Sequence, residues 1–130
     1  MNSDKLCCCG NDPTRLIFVC SGSSNVGQIT HATAIKANQE GIAKMSCLAG
    51  VGAHLSGFVV SARDCNQLIV LDGCDQQCAR KIFEHINITP GVYLELTQNG
   101  FVKEHGIAIN ESDVTNAFET LKKHLKGSQC

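Results

Sequence analysis

An α/β fold, with a mostly parallel open sheet and helices on both faces, is predicted by three features of this sequence. Two short apolar runs, Leu16-Ile17-Phe18-Val19-Cys20 and Leu68-Ile69-Val70-Leu71, are too continuous to alternate, as expected of strands buried on both sides. Each is followed at once by glycine and small polar residues, and then by a stretch with helical spacing. Strand and helix signals take turns along the chain, an order that right-handed crossovers convert into a parallel sheet. The expected architecture is a Rossmann-like three-layer sandwich.

At 130 residues the chain fits one domain with a core large enough to fold unaided. The expected division is a cysteine-containing leader over 1–14, a single α/β domain over 15–126 and a tail over 127–130. Hydrophobic residues at 43% and charged residues at 18% are globular values and argue against disorder. The net charge is −1, no basic patch stands out and tryptophan is absent, so nucleic acid is not an expected partner. No apolar run approaches the ~18 residues of a membrane span, and Met1-Asn2-Ser3-Asp4-Lys5 has no signal-peptide core, so the expected location is a reducing cytoplasm. There, nine cysteines, an odd number, speak for metal binding or thiol chemistry rather than a disulfide framework.

The leader holds Cys7-Cys8-Cys9-Gly10 before Pro13 and carries no periodicity. Leu16 to Cys20 is the first strand. Ser24 or Asn25 can cap the helix that follows, which runs through Ile29, Ala32 and Ile35 to a C′ glycine at Gly41. A short second strand is expected over Ala43–Leu48, then a helix over 51–64, with Gly52 and Gly57 packing closely on a neighbour. After the strand Leu68–Leu71, a helix from Asp75 to about Ile86 would place Cys74 in its first turn and Cys78 four residues on, both sulfurs on one face. Such a position favours a thiolate, because a helix N-terminus carries partial positive charge. Val92–Thr97 reads as a further strand, Asn99-Gly100 as a turn, Phe101-Val102 as a brief return strand and Ser112–Leu125 as the last helix.

Cys20, Cys47 and Cys74 each fall at the carboxyl end of an expected strand, where open parallel sheets bind their ligands. If those strands are neighbours, Cys78 joins them and four sulfurs meet in one crevice. The bland alternative is that these cysteines are small apolar fillers. The loop after the first strand, with Gly22, Ser23, Ser24, Asn25, Gly27 and Gln28, has the strand–turn–helix shape of an anion-binding site. Its glycine spacing is that of a Walker A loop, but Gln28 and Ile29 replace the lysine and Ser/Thr. A Cys-x5-Arg phosphatase loop from Cys20 fails too, because position 26 is Val26.

Cys20-Ser21-Gly22-x-x-Asn25-Val26-Gly27-Gln28, Cys47-Leu48-Ala49-Gly50-x-Gly52-Ala53 and Leu71-Asp72-Gly73-Cys74 with Cys78 resemble the DGC-domain family, named for the Asp-Gly-Cys tripeptide and read as zinc-binding. The resemblance runs from the N-terminal cysteines to about residue 110, with the motifs in order. It implies four chelating cysteines, carried onto Cys20, Cys47, Cys74 and Cys78, and no established activity. Relatives often have proline after the tripeptide, where this chain has Asp75.

The leading expectation is therefore a Zn2+-binding protein with the metal ion as its partner, whose loops the ion orders while the core folds without it. One alternative is a thiol-dependent or metal-assisted enzyme using Cys20, so enzymatic activity is left open; another is an iron–sulfur or redox-sensing module. Gln28 and His31 read as helix-surface residues or a proton-transfer pair, His54 as a surface residue or spare ligand, and Asp72 as a turn former or general base. His85, His105 and His124 are expected in solvent. Cys65, before its strand, lies at the wrong end of the sheet.

Overall fold

The computed structural model describes residues 14–127; the leader cysteines Cys7, Cys8 and Cys9 and the tail from Ser128 lie outside the described residues. Four parallel strands, β1 (Arg15–Val19), β2 (Lys44–Met45), β3 (Gln67–Asp72) and β4 (Val92–Glu95), form one sheet in the order β2-β1-β3-β4. The helices are α1 (Asn25–Gln39), α2 (Leu48–Gly52), α3 (Ser56–Asp64), α4 (Cys78–His85) and α5 (Glu111–Lys126).

Two-sided burial follows from the period of two along each strand. Ile17, Val19, Ile69, Leu71, Val92 and Leu94 face α1 and α5, where Ile29, Ala37, Phe118 and Leu121 close one core. Leu16, Phe18, Leu68 and Val70 face the other way, onto Val51, Ala62, Ala79 and Phe83 from α2, α3 and α4. Phe18 and Phe83 meet there edge to face at 5.1 Å. The chain thus leaves β1 toward β2 on one side of the sheet and leaves β3 toward β4 on the other. The two exits diverge between adjacent strands, which makes the carboxyl ends of β1 and β3 the switch point of the sheet.

Helix ends account for several departures from the sequence reading. Ser24 caps α1 by accepting from the Gly27 N–H at 3.2 Å, and Gly41, at φ +74, closes its other end as expected. The helix expected over 51–64 is instead two, α2 and α3. The His54 N–H bonds the Val51 carbonyl and the Leu55 N–H that of Gly50, a Schellman stop with His54 at φ 61 in the left-handed position. Gly57 has open space around it and Gly52 only ordinary contact; the close approach is at Gly50, where a Cβ would lie 2.4 Å from the Phe58 ring. The second strand shrinks to Lys44–Met45.

The expected start of the fourth helix at Asp75 is also corrected. Cys74 to Gln77 form a turn closed by the Gln77 N–H on the Cys74 carbonyl at 3.1 Å, Gln77 takes φ 54, and α4 begins at Cys78. Asp75 is the second residue of that turn, a position that proline favours, so the departure from the family pattern falls where either residue fits. Beyond β4 the expected strand to Thr97 gives way at Leu96 to a 3-10 turn, Leu96–Asn99, ended by Gly100 at φ 92. Phe101 and Val102 form no return strand, because the Val102 carbonyl is taken by the Asn25 side chain.

Candidate functional site

Cys20 leaves β1 with its N–H on the Leu71 carbonyl at 3.2 Å, continuing the ladder one residue beyond the strand. Its sulfur lies 3.6 Å from the Thr30 hydroxyl, which donates to the Gly27 carbonyl at 2.7 Å and lies 3.4 Å from the Ser21 N–H. Ser21, at φ 49, is held in the left-handed region by that contact and by its hydroxyl at 3.2 Å from His31 Nδ1. Gln28 donates to the Gly22 carbonyl at 2.8 Å. Gln28 and His31, read from sequence as surface residues or a proton-transfer pair, thus tie the loop after β1 to α1. Within the expected anion loop, Ser24 and Gln28 bond the loop's own Gly27 and Gly22, and Asn25 bonds the distant Val102 carbonyl.

Gly73 brings the turn after β3 against this loop, and Gly27 lets the loop fold closely on its own Gly22. A Cβ at Gly73 would stand 2.8 Å from the Val26 carbonyl carbon, and one at Gly27 would stand 2.6 Å from the Gly22 nitrogen. The backbone of the Asp-Gly-Cys tripeptide therefore lies directly on the first turn of α1. No side chain larger than hydrogen fits between them.

Asp72, expected from sequence as a turn former or a general base, is engaged by three hydrogen-bond donors. Its buried carboxylate accepts from the N–H groups of Ala79 at 2.8 Å and Arg80 at 3.0 Å, and from the Tyr93 hydroxyl at 2.9 Å. It is the cap of α4, reaching the helix from the end of β3. Burial, and then the charge and hydrogen bond of Asp72, push the Tyr93 hydroxyl well above its ordinary range, with Glu95 adding to the effect and Arg80 opposing it. Arg80 lies over the Tyr93 ring at 5.0 Å. Beside Asp72 in register, the buried Glu95 accepts from Gln77 at 3.0 Å and from the Thr97 hydroxyl.

Cys74 is half-buried, and its sulfur accepts from the Lys103 ammonium at 3.4 Å. Lys103 had no signal in the sequence beyond being a lysine in a polar stretch. Its neighbours are fixed by one side chain: Asn25 donates to the Val102 carbonyl at 2.9 Å and accepts from the Glu104 N–H at 2.7 Å. Cys78 opens α4, exposed. Its thiol is pushed above the ordinary range by partial burial first, then by the charges of Asp72, Cys20 and Cys74, with Lys81 opposing. The dipole that would favour a thiolate there is already answered by the Asp72 carboxylate.

Of the four predicted cysteines, Cys78 thus stands within electrostatic reach of both Cys20 and Cys74 at the switch point. Cys47 precedes α2, exposed and with no side-chain bond to the helix. Cys65 caps α3 with its sulfur on the Ala62 carbonyl at 3.3 Å, ahead of β3, as its exclusion from the site required. His54 and His85, treated separately in the sequence, stack with ring centroids 5.4 Å apart. As a donor set the thiols suit a soft ion, but their placement does not form a chelate: among the described residues, no three His, Cys, Asp or Glu side chains are grouped so as to hold a metal.

The DGC domain family matches residues 16–121, from β1 through most of α5. The chain belongs to the DGC-domain family. A curated relative, the "Anaerobic and virulence modulator AnvM" of Pseudomonas aeruginosa, is 32% identical over 115 residues, 88% of each chain. No solved structure matches. In this DGC domain, no helix among the described residues is long and apolar enough to cross a membrane.

Proposed function

We propose that this chain takes up a thiophilic metal ion, zinc first, on the cysteines at the carboxyl edge of its sheet, and that uptake draws those cysteines together. The observation that carries this reading is the adjacency of β1 and β3, which sets Cys20 and Cys74 at neighbouring strand ends with Cys78 at the start of the following helix. Cysteine sulfur is the preferred ligand of structural zinc, and four thiolates complete a tetrahedron. Cys47 is the fourth donor in this reading. Binding expels the thiol protons, so uptake weakens as pH falls.

Elemental analysis of protein purified without added metal tests it, on the parent and on Cys74→Ser. About one zinc per chain, in the proportion a single site requires, with a sharp fall in the variant, is the expected result. No uptake by the parent, even from added zinc, would end the reading.

A second reading is a redox-responsive thiol module on the same residues. It is favoured by five free cysteines among the described residues and by the printed name of the relative, an anaerobic modulator. Here two thiols and one peroxide give a disulfide and two waters. Peptide mapping after mild peroxide should then find a dithiothreitol-reversible link among Cys20, Cys74 and Cys78; intact thiols would exclude it.

A further inference from the structure

We infer that Cys74 and Lys103 form a covalent pair made by oxidation: once peroxide has oxidised the Cys74 sulfur, the Lys103 amine condenses with it into an S–N bond, a sulfenamide. No metal ion enters this inference. It rests on the redox reading above for the oxidant, and names the partner that the oxidised sulfur takes.

The Lys103 nitrogen lies 3.4 Å from the Cys74 sulfur although Lys103 belongs to an exposed segment without regular structure. A lysine held in one place loses side-chain entropy, so its backbone has to be anchored nearby. Asn25 anchors it with the two ends of one amide, donating to the Val102 carbonyl at 2.9 Å and accepting from the Glu104 N–H at 2.7 Å. Asn25 is itself fixed as the first residue of α1, behind the Ser24 cap. The Cys74 backbone is fixed in turn by the Gln77 N–H on its carbonyl at 3.1 Å and by the approach of Gly73 to Val26 and Gly27. Both reacting groups therefore hang from the first turn of α1, Lys103 through Asn25 and Cys74 through Gly73. Their separation is that of a near-attack pair, which reacts as one molecule rather than as two. Cys20 is turned instead to the Thr30 hydroxyl at 3.6 Å, and Cys78 opens α4 beyond the turn, so the amine is the group already in contact with the Cys74 sulfur. Half-burial leaves that sulfur open to a molecule as small as peroxide.

The Cys74 thiol and hydrogen peroxide give the sulfenic acid and one water; the sulfur loses two electrons and the peroxide O–O bond takes them up. Lys103 then passes one ammonium proton to solvent and its nitrogen pair attacks the sulfur. The S–O bond breaks, and the hydroxyl leaves as water with a second nitrogen proton. In sum, one thiol, one ammonium and one peroxide give one S–N link, two waters and one proton. Condensation of a sulfenic acid with nitrogen keeps the sulfur on the reversible part of the oxidation ladder, short of sulfinic acid, and a dithiol restores thiol and amine as it becomes a disulfide. While it lasts, the link ties the exposed segment bearing Val102 to the Asp-Gly-Cys turn.

The test is peptide mapping, without reductant, of the reduced full chain after stoichiometric hydrogen peroxide, on the parent, Lys103→Arg, Asn25→Ala and the double variant Cys20→Ser with Cys78→Ser. Parent and double variant should each yield a monomer lighter by about 2 Da, with the fragments holding Cys74 and Lys103 joined and released by dithiothreitol. Lys103→Arg keeps the charge without the amine and should give no link. Asn25→Ala keeps both reacting groups but frees the segment, so its yield should fall at least about threefold. A parent in which Cys74 pairs with another cysteine while Lys103 stays free overturns the inference and leaves the redox reading standing. Intact thiols in the parent overturn both. An undiminished yield in Asn25→Ala overturns the preorganisation on which the inference depends. Matching urea midpoints of the reduced proteins will separate these outcomes from a folding defect.

Discussion

Gly73 lies against the backbone of Gly27 so closely that a Cβ at position 73 would stand 2.9 Å from the Gly27 amide nitrogen. The two nearest atoms are main chain in a helix turn and cannot swing aside, and a Val26 methyl stands beside them. Gly73→Ala must therefore separate α1 from the turn after β3 at a cost of about 2 kcal/mol. Gly22→Ala is the control: with nothing within 4 Å of its Cβ, it should change stability by less than about 0.5 kcal/mol. Urea unfolding of the two variants measures the contrast, and equal midpoints would refute the packing account.

Asp72 stabilises the fold by joining three elements, β3, α4 and β4, through a single carboxylate. Asp72→Asn presents an amide N–H2 toward donors that need an acceptor, so a loss of about 2–3 kcal/mol is expected. Tyr93→Phe removes only one of the three bonds and should cost about 1 kcal/mol. If Asp72 were merely a turn former, the asparagine variant would be almost neutral in thermal unfolding.

The same pair gives a pH dependence with a definite sign. The Tyr93 hydroxyl is raised in the folded protein by burial and by Asp72. In the unfolded chain it ionises near the ordinary value of about 10. Its contribution is complete below that pH and is lost as pH rises toward the folded value, because the unfolded state then releases the proton first. Parent stability should fall more steeply above about pH 10 than that of Tyr93→Phe. Parallel pH profiles would show that Tyr93 is not the group responsible.

Metal removal should leave the fold intact. The two cores, around Phe118 and Leu121 on one face and Phe18 and Phe83 on the other, are apolar and complete without a metal bond. Far-ultraviolet circular dichroism should thus be unchanged by chelator, in contrast to a zinc finger, which unfolds. A chelator-induced loss of helix would contradict this.

The strands and layers were legible because apolar runs buried on both faces leave a continuous signal, as in Leu68–Leu71. Gly41 was legible as a helix stop because glycine is the usual residue there, whereas His54 and Asn87 take the same left-handed position without that signal. The site was legible only as a set of cysteines at strand ends. The capping role of Asp72 depends on α4 starting at Cys78, which a four-residue spacing from Cys74 concealed. Tyr93 and Lys103 reach the site through the sheet register and through Asn25, both long-range contacts that local patterns do not encode.

The four cysteines should not contribute equally to metal uptake. Cys74 lies in the turn packed on α1, and its backbone is fixed by the Gln77 N–H and by the close approach at Gly73. A preorganised donor loses little entropy on binding, so Cys74→Ser should weaken Zn2+ binding by at least about tenfold. Cys47 is exposed beside a two-residue strand and a five-residue helix, and its side chain makes no bond to that helix. Ordering it offsets part of its bond to the ion, and water can take its place in the fourth position. Cys47→Ser should therefore cost less than Cys74→Ser, and the metal it leaves behind should exchange faster with chelator. Equal losses in the two variants would mean that Cys47 is as firmly placed as the other three, and that the α1 contact confers no advantage on Cys74.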